Sequence, residues 1–226
     1  GDIDLVVGLI KKHGITEIVH FAGSIVVPES VTNPLKYYGN NTATSRSLIE
    51  AAVKGGVKHF IFSSTAAVYG MTGLAPVVET TPLNPMSPYG RSKLMTEMML
   101  ADVAAAHPMT FGVLRYFNVA GADPQGRSGQ SSPEATHLIK VACQTALGQR
   151  EKMDIFGTDF ETPDGTGVRD YMRAEEGPRR AGDPASITAT GEKVRATLGW
   201  VPQHADLTEI VQSAFAWEKH LMVRNR

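Results

Sequence analysis

The sequence has a single cysteine, Cys143, which excludes an internal disulfide framework and is typical of a reducing compartment. Its charges nearly cancel, with 22 Lys and Arg against 23 Asp and Glu, so it carries no electrostatic footprint for nucleic acid or an anionic membrane. No apolar run reaches the roughly 18–20 residues that span a bilayer. The start, Gly-Asp-Ile-Asp, lacks the pattern of a signal peptide. We therefore expect a cytoplasmic protein without nucleic-acid or membrane partners.

The sequence is also poor in patterns for metal or serine chemistry. Its 7 histidines are scattered without ligand spacing, so we predict no metal site. No G-x-S-x-G elbow or Ser-His-Asp arrangement stands out, which argues against a serine hydrolase. What the chain does contain is apolar material, 42% of its residues, enough to bury a core in one large domain or two small ones.

Short apolar runs alternate with helical patterns in the first half of the chain. We predict strands at residues 17–21, 59–63 and 111–117, and helices at residues 37–53 and 89–106. Strands that are separated by helices of this length indicate an α/β fold with a parallel sheet. Ligands bind beyond the carboxyl ends of such strands, so the residues that follow them are the first candidates for a site.

The composition changes after Asn118. Gly, Pro, Asp, Gln and Ser dominate residues 121–134, which is typical of a loop. Helical patterns follow at residues 136–146, 190–198 and 206–221. We therefore divide the chain into residues 1–118 and a smaller region that comprises residues 119–226.

Tyr89 and Lys93 are the most informative pair in the sequence. Their spacing of four residues, just before a helical run, puts both side chains on one face of a helix. A free tyrosine has a pKa near ~10, and a lysine cation beside it favours the phenolate, which can then take a proton from a bound hydroxyl group. An amphipathic tyrosine beside a solvated lysine is the alternative for an isolated pair. We favour catalysis because Gly23 and the polar run 63–65 follow neighbouring strands.

The most specific stretches are HFAG (20–23), FSSTAAVYG (62–70), SPYGRSK (87–93), LRYFN (114–118) and DGTGVRDY (164–171). In these stretches, and over nearly its whole length, the chain resembles the UDP-glucose 4-epimerases of the extended short-chain dehydrogenase/reductase family. The resemblance implies a Rossmann-like, doubly wound parallel sheet with a smaller C-terminal substrate-binding region. Residues 1–118 would bind NAD, and residues 119–226 would mainly bind a UDP-sugar.

The implied activity is the interconversion of UDP-glucose and UDP-galactose. Tyr89 would act as base and acid at the sugar 4-hydroxyl while hydride moves between C4 and the nicotinamide, and a 4-keto sugar would turn over in the pocket. Lys93 would bind the nicotinamide ribose and, with the charge of the oxidised nicotinamide, lower the pKa of Tyr89. Thr65, with Ser64 beside it, would hydrogen-bond the reacting hydroxyl and shuttle its proton. Capping of backbone groups at the strand end is the alternative role of these hydroxyls.

The resemblance also implies contacts with both ligands. Besides Thr65, Tyr89 and Lys93, the implied cofactor contacts are Asp2, Ile3, Phe21, Ala22, Gly23, Ile25, Asn40 and Phe117. Ile25 stands where many members have lysine, which leaves only its backbone for this contact. Besides Thr65 and Tyr89, the implied substrate contacts are Asn118, His137, Leu138, Phe156, Arg169, Arg180 and Asp183, whose two guanidinium groups suit a diphosphate. A surface role for Asn40 and His137 and a core role for Phe117 are the alternatives.

The sequence departs from the family pattern in two places, at each of which a segment of that pattern is not found. The G-x-x-G-x-x-G turn, which cradles the NAD pyrophosphate at a helix N-terminus, does not occur in these 226 residues. Arg173 also runs directly into Ala174, where the family has a further strand and helices. We interpret the sequence as an incomplete record that lacks segments at the start and near residues 173/174. A natural truncation is the alternative.

Other functions stay open beside this one. A 4,6-dehydratase typically carries an Asp-Glu pair after the threonine, whereas Thr65 is followed by Ala66 and Ala67, which favours epimerisation. Another sugar-nucleotide epimerase, for UDP-glucuronate or an N-acetylated sugar, is a second possibility. A non-catalytic binding protein that kept only the fold is a third, because fold alone does not prove chemistry.

The resemblance finally implies an assembly. Such epimerases usually pair as homodimers through two helices, here at about residues 40–55 and 90–106, so we expect a homodimer. Five residues offer apolar surface for this pairing but can equally fill the core, namely Ala51, Ala52, Met95, Met98 and Met99.

Overall fold

The protein is described by a computed structural model over residues 1–73, 75–132, 137–154, 159, 161–162, 168–169 and 186–224. Of these, residues 1–117 and 186–188 form one compact unit, and residues 118–169 and 189–224 form a second. The first unit begins with α1 (Ile3–His13), β1 (Glu17–His20), α2 (Val27–Thr32), α3 (Pro34–Tyr37), a π-helical turn (Tyr38–Ala43), α4 (Thr44–Gly55), β2 (His59–Thr65), a 3-10 turn (Ala66–Val68), α5 (Pro88–Ala106) and β3 (Thr110–Tyr116). The later elements are α6 (Leu138–Ala146), β4 (Val168–Arg169), β5 (Ser186–Ile187, in the first unit), α7 (Glu192–Leu198) and α8 (Leu207–Arg224).

Strands β1, β2 and β3 form a parallel sheet in that order. Each pair of neighbouring strands is connected through helices, so the predicted α/β class with a parallel sheet is confirmed. In the register, Ser64 of β2 lies beside Arg115 of β3, and Thr65 lies beside Tyr116. Because all three strands run the same way, their carboxyl ends meet at one edge of the sheet.

The core of the first unit lies against β2. Phe60 and Phe62 are fully buried, since alternate residues of a strand face the same side. They pack with apolar side chains from α1, α4, α5 and the adjoining loops, namely Ile10, Ile49, Ala52, Val57, Leu100 and Met109. Burying a side chain of the size of leucine or phenylalanine contributes about 1.5–3 kcal/mol. This cluster therefore fixes α5 on the sheet.

Helix α5 begins at a residue that the local sequence determines. Ser87 is extended, and its hydroxyl accepts a hydrogen bond from the backbone N–H of Gly90 at 3.2 Å, which satisfies a donor of the first turn. Pro88 follows at the first helical position, where its fixed φ suits a helix and its missing N–H is not needed. The Ser-Pro-Tyr sequence therefore places Tyr89 in the first turn of α5.

One predicted helix differs from the structure and the helices α1 to α3 carry no prediction, while the other predicted elements match within three residues at each end. The helix predicted at residues 37–53 is interrupted by the π-helical turn, in which the buried amide of Asn41 pairs with both backbone groups of Ser24. Such a wide turn leaves no mark in apolar spacing. Helix α1 is absent from the predictions, although Asp2 caps it by accepting from the N–H of Leu5 at 2.9 Å.

The second unit contains a buried ion pair between α6 and α8. The side chains of Lys140 and Glu218 contact each other and are only 5% and 4% exposed. The ammonium of Lys140 also donates to the carbonyl oxygen of Gln130 at 3.1 Å, and the indole N–H of Trp217 donates to the same oxygen at 3.3 Å. Cys143 is buried on α6, where it acts as a small apolar residue.

Gly90 provides a test of how α5 meets the sheet. A methyl group there would lie 2.6 Å from the carbonyl oxygen of Ala67 and 2.9 Å from Cβ of Pro85, so the backbone must shift. We expect Gly90→Ala to lower the free energy of unfolding by about 1–3 kcal/mol, measured by urea denaturation. Gly8→Ala in α1 is the control, because its methyl meets no atom within 4 Å. That change is expected to stabilise the helix by up to about 1 kcal/mol. Unchanged stability of Gly90→Ala would contradict the described packing.

Candidate active site

The end of β2 and the first turn of α5 bring two hydroxyl side chains together. Thr65 ends β2, and its hydroxyl oxygen accepts from the N–H of Ala67 at 3.2 Å, which starts the 3-10 turn. The same hydroxyl also interacts with Tyr89, where it favours a lower pKa of the phenol. Thr65 and Tyr89 are each 9% exposed, so the pair is largely shielded from water but still reachable. A tyrosine and a threonine in this arrangement can pass a proton to and from a bound hydroxyl group.

The ring of Tyr89 is held by Tyr37. Tyr37 is fully buried, and the two rings meet edge to face with their centroids 6.3 Å apart. The hydroxyl of Tyr37 lies 2.6 Å from the carbonyl oxygen of Val26 and 2.8 Å from a carboxylate oxygen of Glu29. Burial, followed by the hydrogen bond with Glu29, raises the pKa of Tyr37. Tyr37 therefore stays protonated and orients Tyr89 by packing.

Lys93 lies one turn further along α5 and is 3% exposed. Its ammonium donates to the carbonyl oxygen of Ser63 at 3.0 Å and lies 4.9 Å from the ring centroid of Phe62. Burial lowers the pKa of Lys93 to about 8. Because an ammonium carries three protons, Lys93 can bind oxygen atoms in addition to that of Ser63.

The predicted lowering of the Tyr89 pKa by Lys93 and by the charge of the oxidised nicotinamide stays a prediction. Burial raises the pKa of Tyr89, and the hydrogen bond with Thr65 opposes this rise only in part. Lys93 donates to the carbonyl oxygen of Ser63, and burial lowers its own pKa. Thr65, rather than Lys93, is the neighbour that favours the phenolate here.

The loop after β1 approaches Lys93 closely at Gly23. A side-chain carbon on Gly23 would lie 3.0 Å from Oδ1 of Asn41 and 3.5 Å from Nζ of Lys93, so glycine keeps this space open. Asn41 is buried, and in addition to its bonds with Ser24 its amide donates to Oγ of Ser92 on α5 at 3.0 Å. The sequence reasoning chose Asn40 and missed Asn41, which is the asparagine that joins the loop, the π-helical turn and α5.

Most of the other predicted cofactor residues are exposed on the first unit. Phe21 is 59% exposed, and Ala22 and Ile25 are also exposed. Asn40 is exposed, and its amide donates to the hydroxyl of Ser24 at 2.9 Å. Their cofactor contacts stay predictions.

Three further cofactor residues have structural roles of their own. Phe117 packs, partly buried, against an apolar cluster that includes Ala66 and Val68. Asp2 and Ile3 stand at the start of α1, where the carboxylate of Asp2 caps the helix. These roles do not exclude cofactor contacts, which remain predictions for all three.

Three predicted substrate residues, Asn118, His137 and Leu138, belong to the second unit. His137 directly precedes α6 and lines a cavity of about 500 Å³ that is bordered by residues 119–124 and by α8. Burial, together with the nearby charge of Lys140, lowers the pKa of His137, which favours a neutral imidazole. Of Arg169 only its place in β4 is described. The remaining predicted substrate residues lie outside the described residues, namely Phe156, Arg180 and Asp183.

The sequence reasoning misses an ionic group behind Ser64. The hydroxyl of Ser64 donates to the carboxylate of Glu97, and Arg115 donates to the same carboxylate through Nε at 3.2 Å and Nη2 at 2.7 Å. Arg115 also donates to the hydroxyl of Tyr69 at 3.1 Å. One signal could have found this group, because Glu97 continues the four-residue spacing of the Tyr-Lys pair along α5.

Two kinds of feature are not found in the described part of the protein. Within the described ranges, no group of three or more His, Cys, Asp or Glu side chains is placed to hold a metal ion. None of the helices that the structure describes is long and apolar enough to cross a membrane.

The parallel sheet and the Tyr-Thr-Lys group at the end of β2 define a Rossmann-like α/β protein with a tyrosine-based site. The family model described as "NAD dependent epimerase/dehydratase family" matches residues 1–177. The chain therefore belongs to the NAD dependent epimerase/dehydratase family.

Known proteins resemble the chain over most of its length. The UDP-glucose 4-epimerase of Azospirillum brasilense is 44% identical to it, over 98% of this chain and 78% of the relative. The crystal structure of a UDP-glucose-4-epimerase from Stenotrophomonas maltophila, with bound NAD and formylated UDP-arabinopyranose, matches with a TM-score of 0.90 at 30% identity, over 100% of this chain and 82% of that one. The UDP-Glc/GlcNAc 4-epimerase from Campylobacter jejuni matches with a TM-score of 0.77 at 41% identity, over 97% and 82%. The resemblance to UDP-glucose 4-epimerases is thus confirmed, and the chain is shorter than these relatives.

The low pKa of Lys93 leads to a prediction about pH. Between its folded pKa of about 8 and its ordinary value of 10.5, the unfolded chain holds the proton and the folded chain does not. The contribution of Lys93 to stability therefore rises with pH across this window. Between pH 7 and about 9.5 we expect the stability of wild type relative to Lys93→Met to increase by about 2 kcal/mol, at about 1.4 kcal/mol per pH unit above 8.

Urea denaturation of both proteins at the two pH values measures this change. Lys54→Met is the control for loss of a lysine, because Lys54 is an exposed residue of α4. A difference between wild type and Lys93→Met that stays constant with pH would show that burial does not lower the pKa of Lys93.

Proposed function

We propose that the chain catalyses the NAD-dependent interconversion of UDP-glucose and UDP-galactose. One observation carries the proposal: Tyr89 and Lys93 lie one turn apart on α5, and Lys93 is bonded to the end of β2 that carries Thr65, in a member of the NAD dependent epimerase/dehydratase family. The relative from Azospirillum brasilense supports the choice of substrates, because it is named UDP-glucose 4-epimerase and this chain covers 78% of it.

The residues beside Lys93 fit the nicotinamide end of NAD. Gly23 leaves a gap that a single methyl group would fill, and Lys93 has ammonium protons beyond the one that it gives to Ser63. When bound, NAD supplies the acceptor for the hydride of C4 and the donor that returns it. We assign the ribose contact to Lys93 and further cofactor contacts to Asp2, Ile3, Phe21, Ala22, Gly23, Ile25, Asn40 and Phe117.

Tyr89 handles the proton of the sugar 4-hydroxyl. As a phenolate it accepts this proton while C4 is oxidised to a ketone, and as a phenol it returns the proton when C4 is reduced from its other face. Thr65 bonds to Tyr89 and can relay the proton, with Ser64 supporting it from the adjacent position. Because burial raises the pKa of Tyr89, loss of its proton depends on the hydrogen bond from Thr65.

The reaction proceeds without loss of water. The 3-10 turn after Thr65 carries Ala66 and Ala67, neither of which can donate or accept a proton through its side chain. The nearby acid Glu97 is occupied by the hydroxyl behind Thr65 and by a guanidinium group. The 4-keto sugar is therefore reduced again rather than dehydrated.

The second unit binds the UDP part of the substrate in this proposal. The cavity of about 500 Å³ beside His137 supports this role, since ligand sites are typically cavities of this order. The Campylobacter jejuni relative, a UDP-Glc/GlcNAc 4-epimerase, supports N-acetylated sugars as a second class of substrate. The proposed substrate contacts outside the Tyr-Thr pair are Asn118, His137, Leu138, Phe156, Arg169, Arg180 and Asp183.

A homodimer that pairs through α4 and α5 completes the proposal. Met95 and Met98 of α5 are 41% and 59% exposed, which supports an apolar contact there. Ala51 and Ala52 are fully buried, and Met99 packs against the core, so these three are less available for pairing. The proposed compartment is the cytoplasm, in line with a chain that has one free cysteine.

Replacing Tyr89 by phenylalanine tests the proposed base. Tyr89→Phe removes the hydroxyl but keeps the ring against Tyr37, so we expect a folded protein whose kcat is lower by about 10²–10⁴-fold. The initial rate of UDP-galactose conversion with added NAD measures this loss. Tyr38→Phe, in the π-helical turn, is the control and should keep the wild-type rate. A near-normal rate for Tyr89→Phe would remove Tyr89 from the catalytic role.

Light scattering at micromolar concentration tests the dimer. We expect wild type to have about double the monomer mass of 24.3 kDa. Met98→Glu should give the monomer mass, because it would bury a carboxylate in an apolar contact. Val223→Glu, at an exposed valine of α8, is the control and should leave the dimer intact. A monomeric wild type would end the homodimer proposal.

A further inference from the structure

Glu97 and Arg115 form an ionic group that is bonded to Ser64, the residue before Thr65. We infer that Glu97 is a positioning residue: by binding Ser64 and Arg115 together it holds the end of β2 against α5, and so fixes the position of Thr65 relative to Tyr89. The inference deepens the proposed function and rests on it, because the Thr65–Tyr89 pair is the proposed proton-transfer group.

One face of α5 binds three consecutive residues at the end of β2. Residues at four-residue spacing on a helix lie on the same face, one turn apart. The three contacts are Tyr89 with Thr65, Lys93 with the carbonyl oxygen of Ser63, and Glu97 with the hydroxyl of Ser64. Ser64 is the middle residue of the three, so loss of its contact with Glu97 frees the strand between Ser63 and Thr65.

Glu97 is the buried charge within this contact. It is 7% exposed and accepts from the hydroxyl of Ser64 and from both Nε and Nη2 of Arg115. A buried carboxylate is tolerated only when it is paired and hydrogen-bonded, and these two residues supply the opposite charge and the additional donor. The strand register places Arg115 directly beside Ser64, so both donors reach Glu97 from neighbouring strands.

The same network holds the chain on both sides of Thr65. Ser64, immediately before it, is bound to Glu97. Tyr69, which follows the 3-10 turn, accepts from Nη1 of Arg115 at 3.1 Å, and the guanidinium lies 5.1 Å from its ring centroid. Thr65 itself caps the turn between them. The Thr65 backbone therefore cannot shift without disturbing a contact of Glu97 or Arg115.

Glu97→Gln is the first variant for the test. Its amide keeps the size of the side chain and an acceptor for Ser64, but it removes the charge that orders Arg115. Two readouts are compared with wild type. One is the ¹³C NMR signal of the Tyr89 ring in protein labelled at tyrosine Cζ, identified by its absence in Tyr89→Phe. The other is the split between kcat and KM for UDP-galactose in the presence of NAD.

We expect the Tyr89 signal to shift in Glu97→Gln, and kcat to fall by up to about 10²-fold while KM changes little, because the reacting groups are misplaced. Glu17→Gln is the control for the same substitution, because Glu17 is an exposed carboxylate at the start of β1, outside α4 and α5. It should leave the signal and kcat unchanged. An unmoved Tyr89 signal in Glu97→Gln would overturn the inference.

A double variant separates positioning from stability. Replacing a buried ion pair by apolar side chains often restores stability, so Glu97→Met combined with Arg115→Met should resist urea better than Glu97→Gln. Because Ser64 then has no acceptor, we expect the Tyr89 signal and kcat to stay altered. If the Tyr89 signal and kcat returned to their wild-type values together with stability, Glu97 would have only a structural role. If wild type converts no UDP-galactose, the proposed function fails, while the NMR comparison still decides the positioning role.

Discussion

The contact between the end of β2 and one face of α5 is the interaction on which the site depends. The apolar cluster around Phe60, Phe62 and Leu100 holds the helix on the sheet, and Gly90 lets its first turn approach the strand end without a steric clash. On this base, α5 presents a phenol, an ammonium and a carboxylate to three consecutive strand residues. The geometry of the proposed proton transfer is thus a consequence of helix-on-sheet packing.

The same packing sets the electrostatics of the site. Burial favours the neutral form of each group, so the pKa of Tyr89 rises while that of Lys93 falls to about 8. The hydrogen bond from Thr65 is what favours the phenolate, which makes the position of Thr65 the critical variable. Glu97 and Arg115 matter because they fix that position.

Much of the site could be predicted from local sequence, because it consists of strand ends and one helix face. The spacing of Tyr89 and Lys93 and the polar run that ends at Thr65 were sufficient to bring these residues together. Contacts that depend on tertiary structure could not be predicted. The structural role of Asn41 depends on a π-helical turn that apolar spacing does not reveal. The direction of the Tyr89 pKa depends on burial.

The fold, like the site, has features that local sequence predicts and features that depend on tertiary packing. Alternation of apolar runs and helical patterns predicts the parallel sheet, since each strand is a short run with clear boundaries. The register between β2 and β3, which places Arg115 beside Ser64, is set by packing across the sheet and leaves no local signal. For this reason the pairing of Arg115 with Glu97 emerges only from the structure, although the spacing of Glu97 on α5 is visible in the sequence.

The most direct test of the proposed chemistry uses UDP-galactose that carries deuterium at C4, incubated with the protein and NAD and followed by NMR. We predict that UDP-glucose forms and keeps the deuterium at C4, because the hydrogen leaves this carbon as hydride and returns to it. Loss of the label to water, a 4-keto-6-deoxy product, or no conversion by the folded protein would contradict an epimerisation centred on Tyr89.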